Sequence, residues 1–416
     1  MTKLLTKHIH ESGCETLNFY VAHGGYSALK KAFKMKPEEV MEEVKKASLR
    51  GRGGAGFPAG IKWSFVPKDS DKPKYLVVNA DESEPGTFKD RLILEKMAHY
   101  LLEGIIISSY AVGIHHCYIY VRGEFWEPVK ALQKALEEAY SRGYFGKNIL
   151  GSGFDLECTI HRGAGAYICG EETGLLESLE GKPGRPRNKP PFPALIGAFG
   201  CPTVVNNVET IAYVPSIIEL GAEKYLQMGP HQNNGGVKMY CISGHVKKPG
   251  VYELPMNTTL RQLIYDHAGG ILGDRELKMV IPGGSSTPIL MPDQIDVMMD
   301  FDELKKLGTF LGSAGTMIVA EGTDIVELAA VIAKFYAHES CGQCTPCREG
   351  TDWIYQLVLK IHAGEGTKAD IDRILDICNN MKGQTICVLS DALADPMKSI
   401  VTKFRHEFEA RVVDAA

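Results

Sequence analysis

Three cysteines at two-residue spacing are the side chains in this 416-residue sequence whose arrangement most clearly indicates chemistry. Cys341, Cys344 and Cys347 can hold one metal centre, and a [4Fe–4S] cluster needs four thiolates. The fourth must come from Cys378 or Cys387. Cys378 follows apolar residues on a predicted helix, where a buried thiol is expected. We therefore predict a cluster that uses Cys387, which lies just before the final predicted helix.

A structural zinc ion and a redox-active disulfide are the alternatives for this cysteine group. Zinc sites prefer paired Cys-x-x-Cys motifs or added histidines, and this sequence has one triplet, no second pair and an offset His338. The chain has eleven cysteines, an odd number, and its first residues do not resemble a secretory signal. A disulfide framework is therefore not expected, and a [4Fe–4S] cluster is the preferred interpretation.

A glycine-rich loop at residues 51–56 has the pattern G-x-G-x-x-G. A dinucleotide-binding Rossmann loop needs a strand before it and a helix after it. Here a predicted helix at residues 37–47 comes before the loop, so the ordinary Rossmann interpretation fails. The loop, with Arg52, can still let backbone amides approach an anionic or flat ligand. For this motif alone, a tight turn that ends the helix is the favoured alternative.

Three further segments carry polar groups at places where ligands bind. Residues 79–86 contain three acids at the end of a predicted strand, the edge where open α/β sheets collect ligands. Residues 163–172 place amides at a helix N-terminus, and residues 203–209 offer two asparagine side chains. The alternatives are a solvated acidic turn for the first segment and ordinary first-turn acids for the second.

The elements that must position these groups change character twice along the chain. Predicted strands at residues 75–78, 118–121 and 155–160 alternate with predicted helices at about 97–112 and 128–142, which implies a parallel α/β sheet. A small α+β unit follows, with a hairpin (238–244 and 249–254), a helix (about 259–267) and a strand (316–320). Helices fill the remainder. We expect three domains, at residues 1–234, 235–323 and 324–416.

The bulk composition excludes two classes of protein. A formal charge of −5 gives no indication of nucleic-acid binding. The longest apolar stretch, residues 101–114, includes Glu103 and falls short of the ~20 residues that cross a bilayer. We predict a buried core helix there, and any membrane association must go through partners.

Five segments, at residues 51–62, 79–91, 163–181, 202–210 and 340–350, carry a resemblance to a known family. They resemble, in the same order, the motifs of the NADH-binding flavoprotein subunit of respiratory complex I. The resemblance implies an FMN-binding Rossmann-like α/β domain, then a small β-grasp (soluble-ligand-binding) domain, then a C-terminal helical bundle with the cluster. It also implies hydride transfer from NADH to FMN and single-electron transfer to one [4Fe–4S] cluster.

The same resemblance assigns roles to individual residues. It implies an FMN site that includes Gly51, Arg52, Gly53, Lys62, Asn79, Asp81, Glu82, Tyr167, Gly170, Glu171, Asn206 and Asn207, with Gly54 and Gly56 in the same cofactor-binding loop. It implies NADH over the flavin, near Phe57, Phe65, Glu84, Glu172, Lys189 and Phe192. The implied cluster ligands are Cys341, Cys344, Cys347 and Cys387. Gly174 departs from the pattern, because alanine is expected there, and glycine costs a helix interior roughly 1 kcal/mol.

The resemblance also implies partners and a location. Electrons would continue to a small thioredoxin-like [2Fe–2S] subunit and a large multi-cluster iron–sulfur subunit, toward quinone. The chain would be cytoplasmic and peripheral on the inner face of the cell membrane. The diaphorase subunit of a soluble NAD-linked hydrogenase or formate dehydrogenase is the closest alternative. A non-catalytic scaffold that has lost its flavin is another.

A preference for NADH over NADPH follows from the place that the resemblance gives Glu172, at the adenosine ribose. A carboxylate there can accept hydrogen bonds from the ribose hydroxyls. It would repel a 2′-phosphate by on the order of a few kcal/mol, or roughly a hundredfold in affinity. The alternative is that Glu172 only favours the helix dipole.

Overall fold

Four parallel strands form the first sheet of the computed structural model, which describes residues 3–230 and 233–413. These strands are β1 (Tyr75–Ala80), β2 (His116–Val121), β3 (Glu157–Arg162) and β4 (Thr203–Asn207). Val78 pairs with Ile119 on one side and with Asn206 on the other. The predicted parallel sheet is confirmed, with the bounds of β1, β2 and β3 shifted by two residues.

The strand order β3-β2-β1-β4 creates a reversal beside β1. The chain leaves β1 toward β2 on one side and later returns to β4 on the other. Such a reversal opens a crevice between β1 and β4 at the carboxyl ends of these strands, where α/β sheets bind ligands. Strand β4 is not among the predicted strands, because its apolar part is short and two asparagines, which are depleted in strands, end it.

Helices surround this sheet, and one of them is buried almost throughout. They are α1 (Leu17–Ala22), α2 (Ser27–Ala32), α3 (Pro37–Lys46), α4 (Ala59–Ser64), α5 (Lys89–Lys96), α6 (Ala98–Val112), α7 (Trp126–Ser141), α8 (Glu172–Leu179), α9 (Val208–Ala212), α10 (Val214–Leu220) and α11 (Ala222–Leu226). The predicted core helix is α6, whose Glu103 is buried and accepts hydrogen bonds from the backbone of Tyr26 and Leu29. Within residues 3–230 and 233–413, no helix is both long and apolar enough to span a bilayer.

The second sheet has the order β6-β5-β8-β7. It contains β5 (Val237–Gly244), β6 (Gly250–Pro255), β7 (Leu277–Ile281) and β8 (Gly315–Ala320), together with helices α12 (Leu260–Gln262) and α13 (Phe301–Lys306). The predicted hairpin is confirmed by the antiparallel pairing of β5 with β6. The predicted helix at about 259–267 is present as a continuous helical run over residues 260–267, in which α12 passes into a π-helical turn at Leu263–His267. Strand β7 is not among the predicted strands.

The C-terminal region is helical, as predicted, and covers the face of the first sheet opposite most of the N-terminal helices. Its helices are α14 (Ile325–Glu339), α15 (Thr345–His362), α16 (Lys368–Met381), α17 (Leu389–Lys403) and α18 (Arg405–Glu409). On β1, Leu76 and Val78 belong to the core that the N-terminal helices form. Val77 points to the other side and belongs to the core that includes the C-terminal helices. The first sheet therefore lies between the N-terminal helices and the C-terminal helices, with one face packed on each group.

Candidate functional site

The glycine-rich loop lies against the carboxyl edge of the first sheet. Helix α3 comes before the loop, as predicted, and the short helix α4 follows it, which the sequence did not predict. Gly51 N donates to Phe57 O at 2.9 Å, so the loop closes on itself. A Cβ atom added at Gly53 would lie 3.0 Å from Cβ of Asn207, which ends β4. The loop therefore covers the crevice between β1 and β4.

Gly54 and Gly56 of the loop are both positions that favour glycine, for different reasons. Gly54 has φ +138° with open space around it, so its backbone conformation alone favours glycine. Gly56 has φ +66°, and a Cβ there would meet the Phe301 ring at 2.6 Å. The start of helix α13 therefore packs directly on the end of the loop.

The Arg52 side chain points away from the crevice. Its guanidinium is fully buried and donates to Gly235 O and Val237 O, each at 3.0 Å. Its backbone N donates to Thr210 Oγ1 at 2.8 Å. The Arg52 guanidinium therefore joins the loop to β5.

Asp81 carries an unpaired acceptor directly after β1. Its Oδ1 accepts from Ser83 Oγ at 3.1 Å, whereas its buried Oδ2 has no hydrogen-bond partner among the described residues. Burial raises the pKa of Asp81 to about 7. A Cβ at Gly170 would lie 3.6 Å from this Oδ2. Because an unpaired buried acceptor is costly, the site fits a ligand that brings an N–H or O–H donor, such as a flavin ring.

The other two acids of this segment already have protein donors. Glu82 accepts from the backbone N of Asp90 at 2.8 Å and of Arg91 at 3.0 Å, at the start of α5. Glu84 accepts from Tyr167 Oη at 2.6 Å and Ser286 N at 2.9 Å. Burial raises the pKa of both carboxyl groups. The carboxylates of Glu82 and Glu84 therefore hold neighbouring elements in place, α5 for Glu82 and the loop at Ser286 for Glu84.

The asparagines tie the separate segments to one edge. Asn79 Nδ2 donates to Gly170 O at 2.8 Å, which joins β1 to the loop before α8. Asn206 Oδ1 accepts from Trp63 Nε1 at 2.8 Å, which joins β4 to α4. The structure thus brings together the four segments that sequence reasoning singled out in the first 210 residues, through contacts that include the predicted residues Asn79, Gly170 and Asn206.

Two lysines and two glutamates form an ion-pair group at the start of α8. Lys62 Nζ lies 2.8 Å from Glu172 Oε2, and Lys189 Nζ lies 2.9 Å from Glu171 and 3.3 Å from Glu172. Burial opposes ionisation of Glu172, but Lys62 and then Lys189 outweigh it, so its pKa lies below the ordinary value. Glu171 also caps α8 by accepting from the backbone N of Thr173 and Gly174. Glu172 is therefore an ionised carboxylate with two ammonium partners.

Close packing explains why glycine occupies position 174, which the sequence alone did not indicate. A Cβ at this position would lie 2.7 Å from the carbonyl oxygen of Ile168, a distance that real Cβ atoms essentially never show. Alanine would therefore strain this turn. The expectation that glycine here lowers local stability is not supported, because the close approach favours glycine.

Three aromatic side chains stand exposed near these groups. Phe57, Phe65 and Phe192 have 46%, 54% and 56% of their surface exposed. The rings of Phe57 and Phe65 have centroids 6.1 Å apart and are tilted by 46°. Aromatic faces that are exposed in this way can stack on a planar ring.

Sequence reasoning missed a buried ionic group behind the edge. Lys89 Nζ lies 2.7 Å from Asp90 and 2.9 Å from Glu209, and Lys238 Nζ lies 3.3 Å from Glu209. Burial lowers the pKa of Lys238 to about 8. Asn207 Nδ2 donates to Asp90 Oδ2 at 2.6 Å, so the group fixes the end of β4. A signal was present, because Lys89 and Asp90 lie inside one of the five matching segments.

The cysteine triplet lies at the junction of two C-terminal helices. Cys341 and Cys344 lie between α14 and α15, and Cys347 is in the first turn of α15. Cys387 is in the connection between α16 and α17, and the preceding Ile386 N donates to Cys344 Sγ at 3.4 Å. The second connection therefore touches the triplet.

The two candidates for the fourth ligand have different surroundings. Cys387 is half-buried in the connection before α17, and burial raises its pKa to about 11. Cys378 is 1% exposed within the apolar core of the helical region. Burial raises its pKa to about 12.

The spacing of the sulfur atoms argues against a mononuclear zinc site. Zn–S bonds of about 2.3 Å in a tetrahedron require sulfur atoms about 3.8 Å apart. Within the described chain, no three of these cysteine sulfurs all lie within 4.8 Å of one another. A larger centre such as a [4Fe–4S] cluster suits a thiol group that is more widely spaced.

Tyr167, in the loop before α8, contacts the end of α14 just before the cysteine triplet. Tyr167 N donates to Glu339 Oε2 at 3.0 Å, and Glu339 lies two residues before Cys341. Tyr167 also packs edge-to-face on Phe335 and Tyr336 of α14, with centroids 5.2 and 5.9 Å away. The crevice and the cysteines are therefore neighbouring parts of one site.

Comparison with known proteins gives matches in each region of the chain. Residues 44–216 match the family model described as the Nuo51 FMN-binding domain. Residues 238–327 match the SLBB domain. Residues 327–411 match the NADH-ubiquinone oxidoreductase-F iron-sulfur binding region. The order of these domains confirms the predicted fold class.

Curated relatives and one solved structure are similar over most of the chain. An NADH-quinone oxidoreductase F subunit of Rhizobium meliloti (strain 1021) is 51% identical over 95% of this chain and 94% of its own length. The corresponding F subunit of Rickettsia bellii (strain OSU 85-389) is 53% identical over 90% of each chain. The crystal structure of an NAD⁺-reducing [NiFe]-hydrogenase in the air-oxidized state is 34% identical with a TM-score of 0.85, and it covers 100% of this chain and 68% of that chain. This chain therefore belongs to the FMN- and [4Fe–4S]-binding family of NADH-quinone oxidoreductase F subunits.

Proposed function

We propose that this chain is the NADH-oxidising subunit of a respiratory NADH-quinone oxidoreductase. FMN would supply the hydride acceptor for NADH and a [4Fe–4S] cluster would supply single-electron acceptance, and this chain would hold and orient both groups. The observation that carries the proposal is the contact from Tyr167 to Glu339, beside the cysteine triplet, at 3.0 Å. This contact places the crevice next to the cysteines, so electrons would have a short path from the crevice to the cluster.

The residues at the carboxyl edge would hold FMN. The glycine loop offers backbone N–H groups, and Asp81 Oδ2 offers the unpaired acceptor for a ring N–H. The remaining polar groups order the crevice before the cofactor arrives, which lowers the cost of binding. The proposed FMN residues are Gly51, Arg52 (which anchors the loop), Gly53, Gly54, Gly56, Lys62, Asn79, Asp81, Glu82, Tyr167, Gly170, Glu171, Asn206 and Asn207.

The exposed aromatic residues would receive NADH. Phe57 and Phe65 form one exposed pair, and Lys189 and Phe192 lie on the loop after α8. Glu172 would accept hydrogen bonds from the adenosine ribose, and Glu84 would act near the nicotinamide by holding Tyr167. These side chains would align the nucleotide, and the transfer itself needs no side-chain acid or base.

The proposed cluster ligands are Cys341, Cys344, Cys347 and Cys387. The contact from Ile386 to Cys344 supports Cys387 as the fourth ligand, and the buried position of Cys378 in the helical core speaks against Cys378. Cluster binding would join the two connections between the C-terminal helices.

We also propose three domains with bounds at residues 1–234, 235–323 and 324–416. The match to the SLBB domain begins at residue 238 and the match to the iron–sulfur region begins at 327, close to both boundaries. The second unit has a core of its own, from Tyr240 to Ala320. The other two cores meet across the first sheet.

The chain is one subunit of a multi-subunit enzyme, so it has partner subunits. We propose a small thioredoxin-like [2Fe–2S] subunit and a large multi-cluster iron–sulfur subunit. Val388, beside the proposed ligand Cys387, is 70% exposed, and Trp353 on α15 is 55% exposed, which suits a partner that docks close to the cluster. The enzyme would hold this chain on the inner, cytoplasmic face of the cell membrane.

A diaphorase role in an NAD-linked hydrogenase is the second candidate function. The fold similarity to the NAD⁺-reducing [NiFe]-hydrogenase supports it. The identity of 51% and 53% to the two quinone-linked relatives, over nearly their full length, favours the quinone-linked enzyme. Co-purification with the neighbouring subunits would distinguish the two.

Replacing Glu172 by Gln should reduce the preference for NADH over NADPH. Lys62 and Lys189 offset part of the carboxylate's charge, so we expect the ratio of kcat/KM values to fall by about tenfold, less than the hundredfold that an isolated carboxylate would give. The measurement is NADH and NADPH oxidation with ferricyanide as acceptor. Glu137→Gln, on the exposed face of α7, is the matched control. An unchanged ratio in Glu172→Gln would remove Glu172 from the ribose site.

A further inference from the structure

We propose that His8, Glu11 and His23 form a binding site for a divalent transition metal, with Zn²⁺ as the expected ion. The ligand atoms of these three side chains all lie within 4.8 Å of one another. The group stands near the N-terminus, away from the crevice and the cysteines. Neither FMN nor the cluster nor NADH needs it.

Three different backbone elements bring these side chains together. His8 ends a 3₁₀ turn (Thr6–His8), and Glu11 follows in the next turn of chain. His23 is the C-cap residue of α1. His8 Nδ1 lies 2.5 Å from Glu11 Oε1, and the rings of His8 and His23 have centroids 4.6 Å apart. An ion pair would need only the first two residues, so the third side chain is what indicates a metal.

The donor set suits zinc. Two imidazoles and one carboxylate are ligands that zinc accepts at about 2.0–2.2 Å, which requires ligand atoms about 3.3 Å apart. Small rotations of exposed side chains are enough to bring atoms from within 4.8 Å to that spacing. A tetrahedral ion would keep one position for water. Related ions that bind imidazole, such as Co²⁺ or Ni²⁺, would bind at the same place.

The tautomer of His23 is already set for ligation. Its Nδ1 lies 2.8 Å from the Phe19 carbonyl oxygen, to which it donates. The lone pair is then on Nε2, and a second hydrogen bond of this kind is what orients metal-binding histidines in proteins. The Phe19 ring stacks on the His23 ring with centroids 4.0 Å apart, which limits ring rotation.

A metal bound by His8, Glu11 and His23 would attach the second end of the N-terminal segment, near Glu11, to α1. The first end is held by the buried Glu253 carboxylate of β6, which accepts from Leu5 N at 2.9 Å and from Thr6 N at 2.8 Å. Helix α1 is held to α7 because Leu17 N donates to Glu138 Oε2 at 2.8 Å. The ion would join the N-terminal segment to α1. It would therefore stabilise the packing of the N-terminal segment on β6 and on the helices of the first sheet.

Equilibrium dialysis of the purified protein, with flavin and cluster bound, against buffered Zn²⁺ tests the proposal. Zinc and iron are measured together by mass spectrometry, because unchanged iron content shows that zinc has not entered the cysteine site. We expect the wild type to bind one more zinc per chain than a double variant that carries both His8→Gln and His23→Gln. Each single change, including Glu11→Gln, should weaken zinc binding at least tenfold. His10→Gln is the matched control, since His10 is exposed and lies outside the group.

A second readout reports on the segment itself. Zn²⁺ should slow tryptic cleavage after the exposed Lys7 at least fivefold in the wild type and should leave cleavage of His23→Gln unchanged. The proposal is overturned if the wild type binds no extra zinc. It is equally overturned if the glutamine variants bind zinc like the wild type, or if zinc leaves cleavage after Lys7 unaltered.

Discussion

The Cys387→Ser protein should lack the [4Fe–4S] cluster and keep its FMN. The reduced cluster's electron paramagnetic resonance signal should disappear, and bound iron should fall to near zero. The flavin should remain at wild-type stoichiometry, because its proposed contacts come from the first sheet, the glycine loop and α8. The physical reason for cluster loss is that Cys387 stands beside the triplet, as the contact from Ile386 N to Cys344 Sγ shows.

Cys378→Ser is the matched control, because it makes the same chemical change on the neighbouring helix. Cys378 is buried in the apolar core, so serine there should lower the free energy of unfolding by about 1–3 kcal/mol through an unpaired hydroxyl. The cluster signal should survive. If Cys378→Ser loses the signal and Cys387→Ser retains it, the assignment of the fourth ligand is wrong.

Asp81→Asn should weaken FMN binding by at least tenfold. The substitution replaces the charged acceptor at Oδ2 by a neutral group, and a hydrogen bond to a charged group contributes about 1.5–3 kcal/mol. Flavin fluorescence quenching or the flavin retained after gel filtration measures the affinity. Asp69→Asn, an exposed aspartate in the loop before β1, is the control and should bind FMN like the wild type. Equal affinities for wild type and Asp81→Asn would remove Asp81 from the flavin site.

The same substitution should have the opposite effect on the stability of the flavin-free protein. Burial raises the pKa of Asp81 from 3.8 to about 7, so the proton binds more tightly in the folded state than in the unfolded state. The protonated Asp81 carboxyl group stabilises the folded state fully below about pH 4, and this stabilisation is lost as the pH rises through about 7. The unfolding free energy of the flavin-free wild type should therefore fall relative to Asp81→Asn between pH 4 and 8, by up to about 4 kcal/mol. A difference that does not change with pH would contradict the buried, unpaired carboxylate.

The regular elements of the fold were predictable where the sequence pattern was strong. Helix α6 has an apolar run interrupted by Glu103, and its burial followed from that run. Strands β4 and β7 were missed for a common reason. Both have short apolar segments beside residues typical of turns, and their pairing partners lie far away in sequence, β1 for β4 and β8 for β7. Local pattern cannot supply such long-range pairing.

The site was predictable as a set of segments and less so as a set of side-chain roles. Residue types and the family resemblance indicated Asp81, Glu82 and Glu84 together, but only the tertiary contacts distinguish the one unpaired oxygen from the two occupied carboxylates. Arg52 shows the same limit, since a cation in a glycine loop suggests an anion, yet its guanidinium is used to hold Gly235 and Val237. Side-chain direction in a loop depends on what packs behind it.

The central claim is that NADH reduces a flavin whose electrons reach a cluster in the same chain. Anaerobic addition of NADH to the purified protein tests it most directly, with flavin absorbance and the cluster's paramagnetic signal followed together. We predict that stoichiometric NADH bleaches the flavin and produces the reduced-cluster signal, that NADPH does so much more slowly, and that Cys387→Ser bleaches without the signal. A bound flavin that NADH leaves oxidised, or a reduced flavin beside a cluster that stays oxidised, would contradict the account.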